Sequence, residues 1–119
     1  MRRLLPEQKA VQARVDAGGV KHDEGKAPMH LLDPYALEQL ARVLDHGQHK
    51  YAAWNWKKGF PYSRLIAATL RHVFAFMRGE DLDPESGLPH AAHAMCCLMF
   101  LLWMTKERTD LDDRWRDEK

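Results

Sequence analysis

Cysteine is nearly absent from this sequence. The two that occur, Cys96 and Cys97, are adjacent and have no third partner. Neighbouring cysteines of this kind do not build an intrachain disulfide framework. Their scarcity therefore favours a reducing, cytoplasmic compartment.

An excess of one charge sign is also missing. The chain has 18 basic and 17 acidic residues, which gives a formal net charge of +1. Such a balance creates no global field that would attract nucleic acid or an anionic membrane. We therefore expect no stable nucleic-acid complex, and any anion that binds must be captured locally.

Long apolar runs are absent as well. The longest, residues 91–104, is interrupted by His93 and is shorter than the roughly 20 residues that a bilayer-spanning helix needs. The basic start, Met1–Leu5, turns polar within a few residues and offers no signal-peptide core. The sequence therefore predicts a soluble protein without membrane association, in which the apolar run is a buried helix.

The length of 119 residues is that of one domain. We predict an N-terminal helix within residues 1–20, a helical core that carries the candidate site over 21–105, and a charged C-terminal tail over 106–119. Apolar residues recur with helical rather than strand spacing, so the expected fold class is all-α. Three core helices often need a partner to complete their core, so we expect a small helical bundle that forms a homo-oligomer, a dimer or a tetramer.

The three core helices are predicted over about residues 34–47, 63–78 and 88–105. Asp33 is a suitable N-cap for the first helix, because its carboxylate can accept free backbone N–H groups, and Ser86 is expected to cap the third. The second helix is expected to bury an apolar stripe that consists of Ile66, Leu70, Val73 and Met77.

Acidic and histidine side chains concentrate between positions 71 and 93. Hard cations bind carboxylate oxygens, and imidazole serves as a metal ligand or a proton carrier, so this concentration indicates metal-dependent chemistry. Turn capping by the acids and a core-edge position for a histidine are the plainer alternatives. The spacing matches neither the His-Glu-x-x-His of zinc hydrolases nor the His-Asp pair of another phosphohydrolase class. The residues concerned are Glu80, Asp83, Glu85, His72, His90 and His93.

Two further segments could bind a nucleotide. Residues 48–59 interleave lysines with aromatic residues and carry Asn55. Aromatic faces, cations and an amide can stack on and read a nucleobase, although the aromatic residues could equally close the helical core. Lys21–Lys26 is a lysine-bearing turn that could reach phosphate oxygens, and taken alone it is typical of a solvated turn.

These segments contain three ordered motifs: Lys21-x-Asp23-x-Gly25-Lys26; Gly47-x-x-Lys50-Tyr51-x-x-x-Asn55-Trp56; and Arg71-His72 followed by Gly79-Glu80-x-x-Asp83-x-Glu85-Ser86-Gly87-x-x-His90-x-x-His93. Together they resemble the MazZ-like phage dATP/dGTP diphosphohydrolase family. That family looks related to the all-α, MazG-like nucleotide pyrophosphatases, which hold magnesium with carboxylates. The MazG-like enzymes carry a Glu-x-x-Glu that this sequence lacks, so we expect histidines to take roles that carboxylates have there.

The resemblance implies a metal-dependent nucleotide pyrophosphohydrolase that converts a purine deoxynucleoside triphosphate, dGTP or dATP, to the monophosphate and pyrophosphate. It implies Mg²⁺ as the cofactor, with Mn²⁺ as the alternative. In a phage it implies the host cytoplasm and a precursor step for 2-aminoadenine DNA. The expected metal ligands are Glu38, Glu80 and Asp83. The expected catalytic residues are His72, His93 and Glu85, and the histidine that orients or deprotonates the attacking water is left open. The expected substrate-binding residues are Lys21, Asp23, Lys26, Lys50, Tyr51, Asn55, Trp56, Arg71 and His90.

Two other interpretations stay open at this point. The chain could be a non-enzymatic helical binding or regulatory module that uses its lysine and tryptophan segment on another macromolecule. The histidines could instead form a purely structural metal site. The sequence also leaves open which purine is preferred.

Overall fold

The structure is a computed structural model that describes residues 3, 5, 6, 8, 9 and 18–117. The chain forms two compact units, Met1–Leu32 and Asp33–Lys119, and each is described by itself. Most of the helix predicted within residues 1–20 lies outside the described residues. The described part of the first unit contains an exposed turn at residues 24–26 and one 3₁₀ turn, Met29–Leu31.

The second unit contains three α-helices, α1 (Pro34–Lys50), α2 (Tyr62–Met77) and α3 (His90–Glu107). Helix α3 packs against both α1 and α2, and its central position agrees with a sequence that is apolar on nearly every side. The described residues include no strand and only an isolated antiparallel bridge between Leu82 and Pro89. The all-α prediction is confirmed. Within the described part of the chain, no helix is long and apolar enough to cross a membrane.

Helix α1 begins as the sequence predicts and ends later. The Asp33 carboxylate accepts a hydrogen bond from the Ala36 N–H at 2.8 Å, and Pro34 occupies the first helical position. The predicted end at residue 47 is wrong, because the N–H of Tyr51 still donates to the Gly47 carbonyl at 2.9 Å. A glycine inside a helix costs only roughly 0.5–1 kcal/mol, so the helix continues to Lys50.

Helix α3 begins two residues later than predicted, and Ser86 is not its N-cap. No side chain caps this helix. Backbone hydrogen bonds close the preceding loop instead: the Asp83 N–H donates to the Leu88 carbonyl at 2.8 Å, and the His90 N–H donates to the Asp81 carbonyl at 2.9 Å. The Ser86 side chain is thereby placed inside the loop, where it contacts a histidine of the site described below.

The core consists of two clusters of buried side chains, one on either side of α3. The α2–α3 cluster includes Tyr62, Leu65 and Met104, and the α1–α3 cluster includes Val43, Ala92 and Cys96. The stripe predicted for α2 is wrong, because α2 is apolar on two sides and the side with Leu65 is the one that meets α3. The predicted stripe is exposed in the second unit, with Ile66 at 36%, Leu70 at 44%, Val73 at 38% and Met77 at 72%.

Met104→Ala should destabilise the protein strongly, because Met104 is fully buried at 0% exposure between α2 and α3. Removing such a side chain leaves a cavity and typically costs about 2–5 kcal/mol. Urea denaturation followed by far-UV circular dichroism measures the loss. The matched control is Met29→Ala, at a side chain that is 68% exposed, where we expect a change within about 0.5 kcal/mol. Equal effects at the two positions would contradict the core assignment.

Candidate active site

The loop between α2 and α3 is shaped by the carboxylate of Asp83. Its Oδ1 accepts hydrogen bonds from the N–H of Glu85 at 2.7 Å and from the N–H of Ser86 at 3.4 Å. The loop closes through Gly87, which has a positive φ of 72° and donates its N–H to the Asp83 carbonyl at 2.7 Å. With Oδ1 engaged by the backbone, Oδ2 lies 3.9 Å from Nδ1 of His72.

Three histidines from α2 and α3 meet beside this carboxylate. The rings of His72 and His93 are stacked, with centroids 4.7 Å apart and planes 12° from parallel. His93 Nε2 lies 4.0 Å from Asp83 Oδ2 and 2.7 Å from the Ser86 hydroxyl. The buried His90 joins the group through its Nδ1, which lies 2.9 Å from Nδ1 of His72.

A hydrogen-bonded chain runs from Glu80 through His90 to His72. His90 Nε2 lies 2.7 Å from Glu80 Oε1. An ionised carboxylate only accepts, so His90 donates from Nε2, and in a neutral imidazole its Nδ1 is then an acceptor. The donor in the contact between the two Nδ1 atoms is therefore His72. Glu80 and His90 together fix the orientation of the His72 ring.

Burial and charge shift the titration of this group. Burial lowers the pKa of His72 and of His93 below the ordinary histidine value, more strongly than the Asp83 charge raises either one. Burial alone would raise the pKa of Asp83, but the hydrogen bonds from the Glu85 and Ser86 N–H groups, together with the His93 charge, lower it. The site therefore favours neutral imidazoles beside an ionised carboxylate.

The donor set of the cluster fits a divalent metal ion. His72, Asp83 and His93 each offer one ligand atom, and these three atoms lie within 4.8 Å of one another. Imidazole nitrogen and carboxylate oxygen are both common ligands of divalent metals. Two of the acids predicted as ligands are engaged elsewhere, since Glu80 contacts His90 and Glu38 pairs with Arg42 on the exposed surface of α1 at 2.7 Å.

The cluster forms part of the wall of an open cleft of about 1160 Å³. The cleft extends along α1, α2 and α3 and along the segment that connects α1 to α2. A volume of this size can hold a drug-sized or nucleotide-sized ligand. Of the residues predicted from sequence, the cleft brings together Lys50, Tyr51, Asn55, Trp56, Arg71, His72, Asp83, Glu85 and His93, and it does not include Glu38, Glu80 or His90.

Aromatic side chains line the end of the cleft formed by the segment between α1 and α2. Trp56 stacks on Phe100 of α3 with centroids 4.7 Å apart and planes 15° from parallel, so this ring is held by the core. Tyr51 and Trp54 are 65% and 66% exposed. Trp54 has a left-handed φ of 65°, a conformation that costs free energy in a non-glycine residue, and the Lys57 ammonium lies 4.6 Å from its ring centroid.

An ion pair connects the end of α1 to the histidine loop. Lys50 Nζ lies 2.6 Å from Glu85 Oε1. Hydrogen bonding within the pair raises the pKa of Lys50 and lowers that of Glu85. Both groups also line the cleft, so Lys50 presents a positive charge beside the cluster while Glu85 partly neutralises it.

The remaining predicted residues lie in the first unit. Lys21, Asp23 and Lys26 are exposed, and the N–H of Lys26 donates to the Asp23 carbonyl at 3.2 Å. Their role in substrate binding stays a prediction. Trp54 and Ser86 also line the cleft and are not among the predicted site residues. The aromatic pattern of residues 48–59 includes Trp54, so the sequence offered a signal for it. The contact of Ser86 with His93 depends on the fold of the loop, so the sequence offered none.

The fold and the site define a small all-α protein with a histidine and carboxylate cluster on the wall of an aromatic cleft. The family model for the N-terminal region of dATP/dGTP diphosphohydrolases matches residues 16–114, and the chain belongs to this family. This confirms the resemblance that the three motifs predict. Over 96 residues the chain is 47% identical to a protein of Salmonella phage PMBT28 named dATP/dGTP diphosphohydrolase, a match that covers 81% of this chain and 33% of that protein. The chain thus spans about a third of the length of this curated relative. No solved structure matches the chain.

The stability of the protein should decrease as the pH falls below about 6.5, the ordinary value for histidine. The lowered pKa values of His72 and His93 mean that the unfolded chain binds protons first, so this part of the stability is intact above pH 7 and is lost toward acid. Urea denaturation at pH 7.5, 6.5 and 5.5 measures it. His93→Gln should flatten the dependence, and the matched change His49→Gln at an exposed position of α1 should leave it intact. A wild-type stability that rises toward acid over this range would contradict the prediction.

Proposed function

We propose that this chain hydrolyses a purine deoxynucleoside triphosphate, dGTP or dATP, to the monophosphate and pyrophosphate. The proposal rests on one observation above all: the histidine and carboxylate cluster shares the wall of a single cleft with aromatic and cationic side chains. A nucleotide needs both environments, one for its phosphates and one for its base. The name of the phage relative supports the substrate class.

In this proposal the cleft orients the substrate along its length. The triphosphate lies near the cluster, where Lys50 and Arg71 neutralise phosphate charge. The base and sugar lie at the other end, against Tyr51, Asn55 and Trp56, where aromatic stacking contributes binding free energy. Lys21, Asp23 and Lys26 are the further substrate contacts expected from the first motif.

The reaction is the attack of a water oxygen on the α-phosphorus. The bond between that phosphorus and the oxygen bridging to the β-phosphate breaks, and pyrophosphate leaves. One of the three expected catalytic groups that line the cleft, His72, His93 or Glu85, accepts the proton of the water. His90 and Glu80 orient His72 without reaching the cleft, and Arg71 neutralises charge on the leaving group.

A divalent cation is part of the proposal, with Mg²⁺ expected from the family resemblance and Mn²⁺ as the alternative. Asp83 is the expected carboxylate ligand that lies in the cluster. When bound, the ion would stabilise charge on the phosphoryl group and lower the pKa of the attacking water. In a phage-infected cell the enzyme would act in the host cytoplasm, and dGMP made in this way could serve as a precursor for 2-aminoadenine DNA.

We also propose that the protein forms a homo-oligomer, a dimer or a tetramer. The row of α2 made by Ile66, Leu70, Val73 and Met77 is exposed in the second unit. Such a contiguous apolar row is typical of an interaction surface, and a second copy of the chain would bury it. Ile66 follows Leu65 in the chain and so lies about 100° around α2 from it, which places the row beside the packed side of the helix.

Incubation with dGTP, dATP, dCTP, dTTP and GTP, each with Mg²⁺ or Mn²⁺, followed by chromatography of the products, tests the activity. We expect dGMP or dAMP together with pyrophosphate, and only with a metal present. No turnover of any of these nucleotides would contradict the proposal, and a DNA affinity with steep salt dependence would then favour the non-enzymatic binding module.

Asp83→Asn should reduce turnover by at least about 100-fold, beyond the range typical of changes outside a first ligand shell. The asparagine oxygen can still accept the Glu85 and Ser86 N–H groups, so the loop should keep its fold, which far-UV circular dichroism checks. Asp117→Asn in the exposed tail is the matched control and should retain full activity. Near-normal turnover of the Asp83 variant would remove this carboxylate from the site.

Leu70→Glu should convert the oligomer to a monomer, because a charge in the apolar row would be buried without a partner. Light scattering coupled to size-exclusion chromatography measures the mass. The same change at the exposed Leu31 of the first unit is the control and should leave the mass unchanged. A monomeric wild-type protein would overturn the proposal.

A further inference from the structure

We propose that His72, Asp83 and His93 together form a binding site for one divalent first-row transition ion, such as Mn²⁺, Co²⁺ or Zn²⁺, with His90 and Glu80 as the outer groups that position His72. The inference deepens the proposed function and rests on it only for the catalytic meaning of the ion. Binding of the ion can be measured without any nucleotide.

The potential ligand groups lie close to one another. The three potential ligand atoms lie within 4.8 Å of one another, and Asp83 Oδ2 lies 4.0 Å from Nε2 of His93. Ligands about 2.1 Å from a shared ion are separated by about 3–4 Å. The separations of the potential ligand atoms are therefore close to those found around a bound ion.

The charge on Asp83 also favours a bound cation. This carboxylate is partly buried, and within the described residues its ion-pair contacts are with the two histidines alone. The nearby ammonium of Lys50 is bonded to Glu85 instead. A partly buried carboxylate without a lysine or arginine partner is stabilised by a bound cation.

A chain of hydrogen-bond contacts holds the His72 ring from behind. Imidazoles that bind metals are usually held by a hydrogen bond from the other side, often ending in a carboxylate. The contacts of Glu80 with His90 at 2.7 Å and of His90 with Nδ1 of His72 at 2.9 Å provide such a chain, which leaves Nε2 of His72 as the ligand atom. Glu80 thus acts as a positioning residue rather than as a ligand.

The donor atoms determine the class of ion. Two imidazoles and one carboxylate suit borderline transition ions, whereas Mg²⁺ prefers oxygen ligands and retains its waters. The site should therefore bind Mn²⁺ more tightly than Mg²⁺. With His72 and His93 engaged as ligands, Glu85 is the remaining expected proton acceptor.

Metal binding to the full chain, first freed of metal by a chelator, tests the site. Titration with Co²⁺ in visible absorption, and with Mn²⁺ and Mg²⁺ in calorimetry, should show one transition ion per chain and weaker binding of Mg²⁺. His93→Ala and Asp83→Ala should abolish the Co²⁺ spectrum, and Glu80→Gln should weaken affinity about 10- to 100-fold. The matched control, His49→Ala on the exposed part of α1, should bind as the wild type does.

A measurement on the unmodified protein keeps the test decisive if a variant fails to fold. Substoichiometric Mn²⁺ should broaden the NMR signals of the His72 and His93 rings before those of His22, His30 and His49. Equal broadening of all histidines, wild-type Co²⁺ binding by the folded His93 or Asp83 variants, or tighter binding of Mg²⁺ than of Mn²⁺ would overturn the inference. A bound ion at these residues without hydrolysis of any nucleotide would support the site and contradict the proposed function. Hydrolysis that survives His93→Ala would support the proposed function and contradict the metal site.

Discussion

One oxygen of the Asp83 carboxylate accepts backbone N–H groups and the other faces the candidate site, and the geometry of the histidine and carboxylate cluster depends on this division. Oδ1 accepts the N–H groups of Glu85 and Ser86, which turns the loop back on itself before α3. Oδ2 is left facing His72 and His93. The same side chain therefore folds the loop and supplies the charge beside the imidazoles, so a change at Asp83 alters the loop and the candidate site together.

The central helix α3 carries residues at both ends of the cleft. Its first turns carry His90 and His93, and its later turns carry Phe100, on which Trp56 stacks. One rigid element thus fixes both the polar and the aromatic end of the cleft. Because a helix rises 1.5 Å per residue, the seven positions from His93 to Phe100 separate the two ends by about 10 Å, which suits a ligand with a polar and an aromatic part.

Sequence reasoning succeeds here where a local interaction decides the structure. Asp33 caps α1 because the acceptor and the free N–H groups are neighbours in the chain, and the composition of α3 predicts its central burial. Prediction from sequence fails where two apolar sides of one helix could each pack against the core. Helix α2 is apolar on two sides, and the periodicity that favours Ile66 and Leu70 does not reveal that Leu65 meets α3. Ser86 has the chemistry of an N-cap, but the loop that holds it is closed by backbone bonds.

The sequence by itself determined the helical class, the motifs that mark the family, and the set of acidic and histidine residues from which the site is built. Local spacing and residue type carry that information, since capping, helical periodicity and motif order act over a few neighbours. Only the tertiary structure decided which members of the set meet. It brings Asp83 to His72 and His93, engages Glu80 with His90, and leaves Glu38 paired with Arg42. Those pairings depend on the packing of α2 against α3 and on the loop between them, because side chains distant along the chain approach one another only when the helices that carry them are packed.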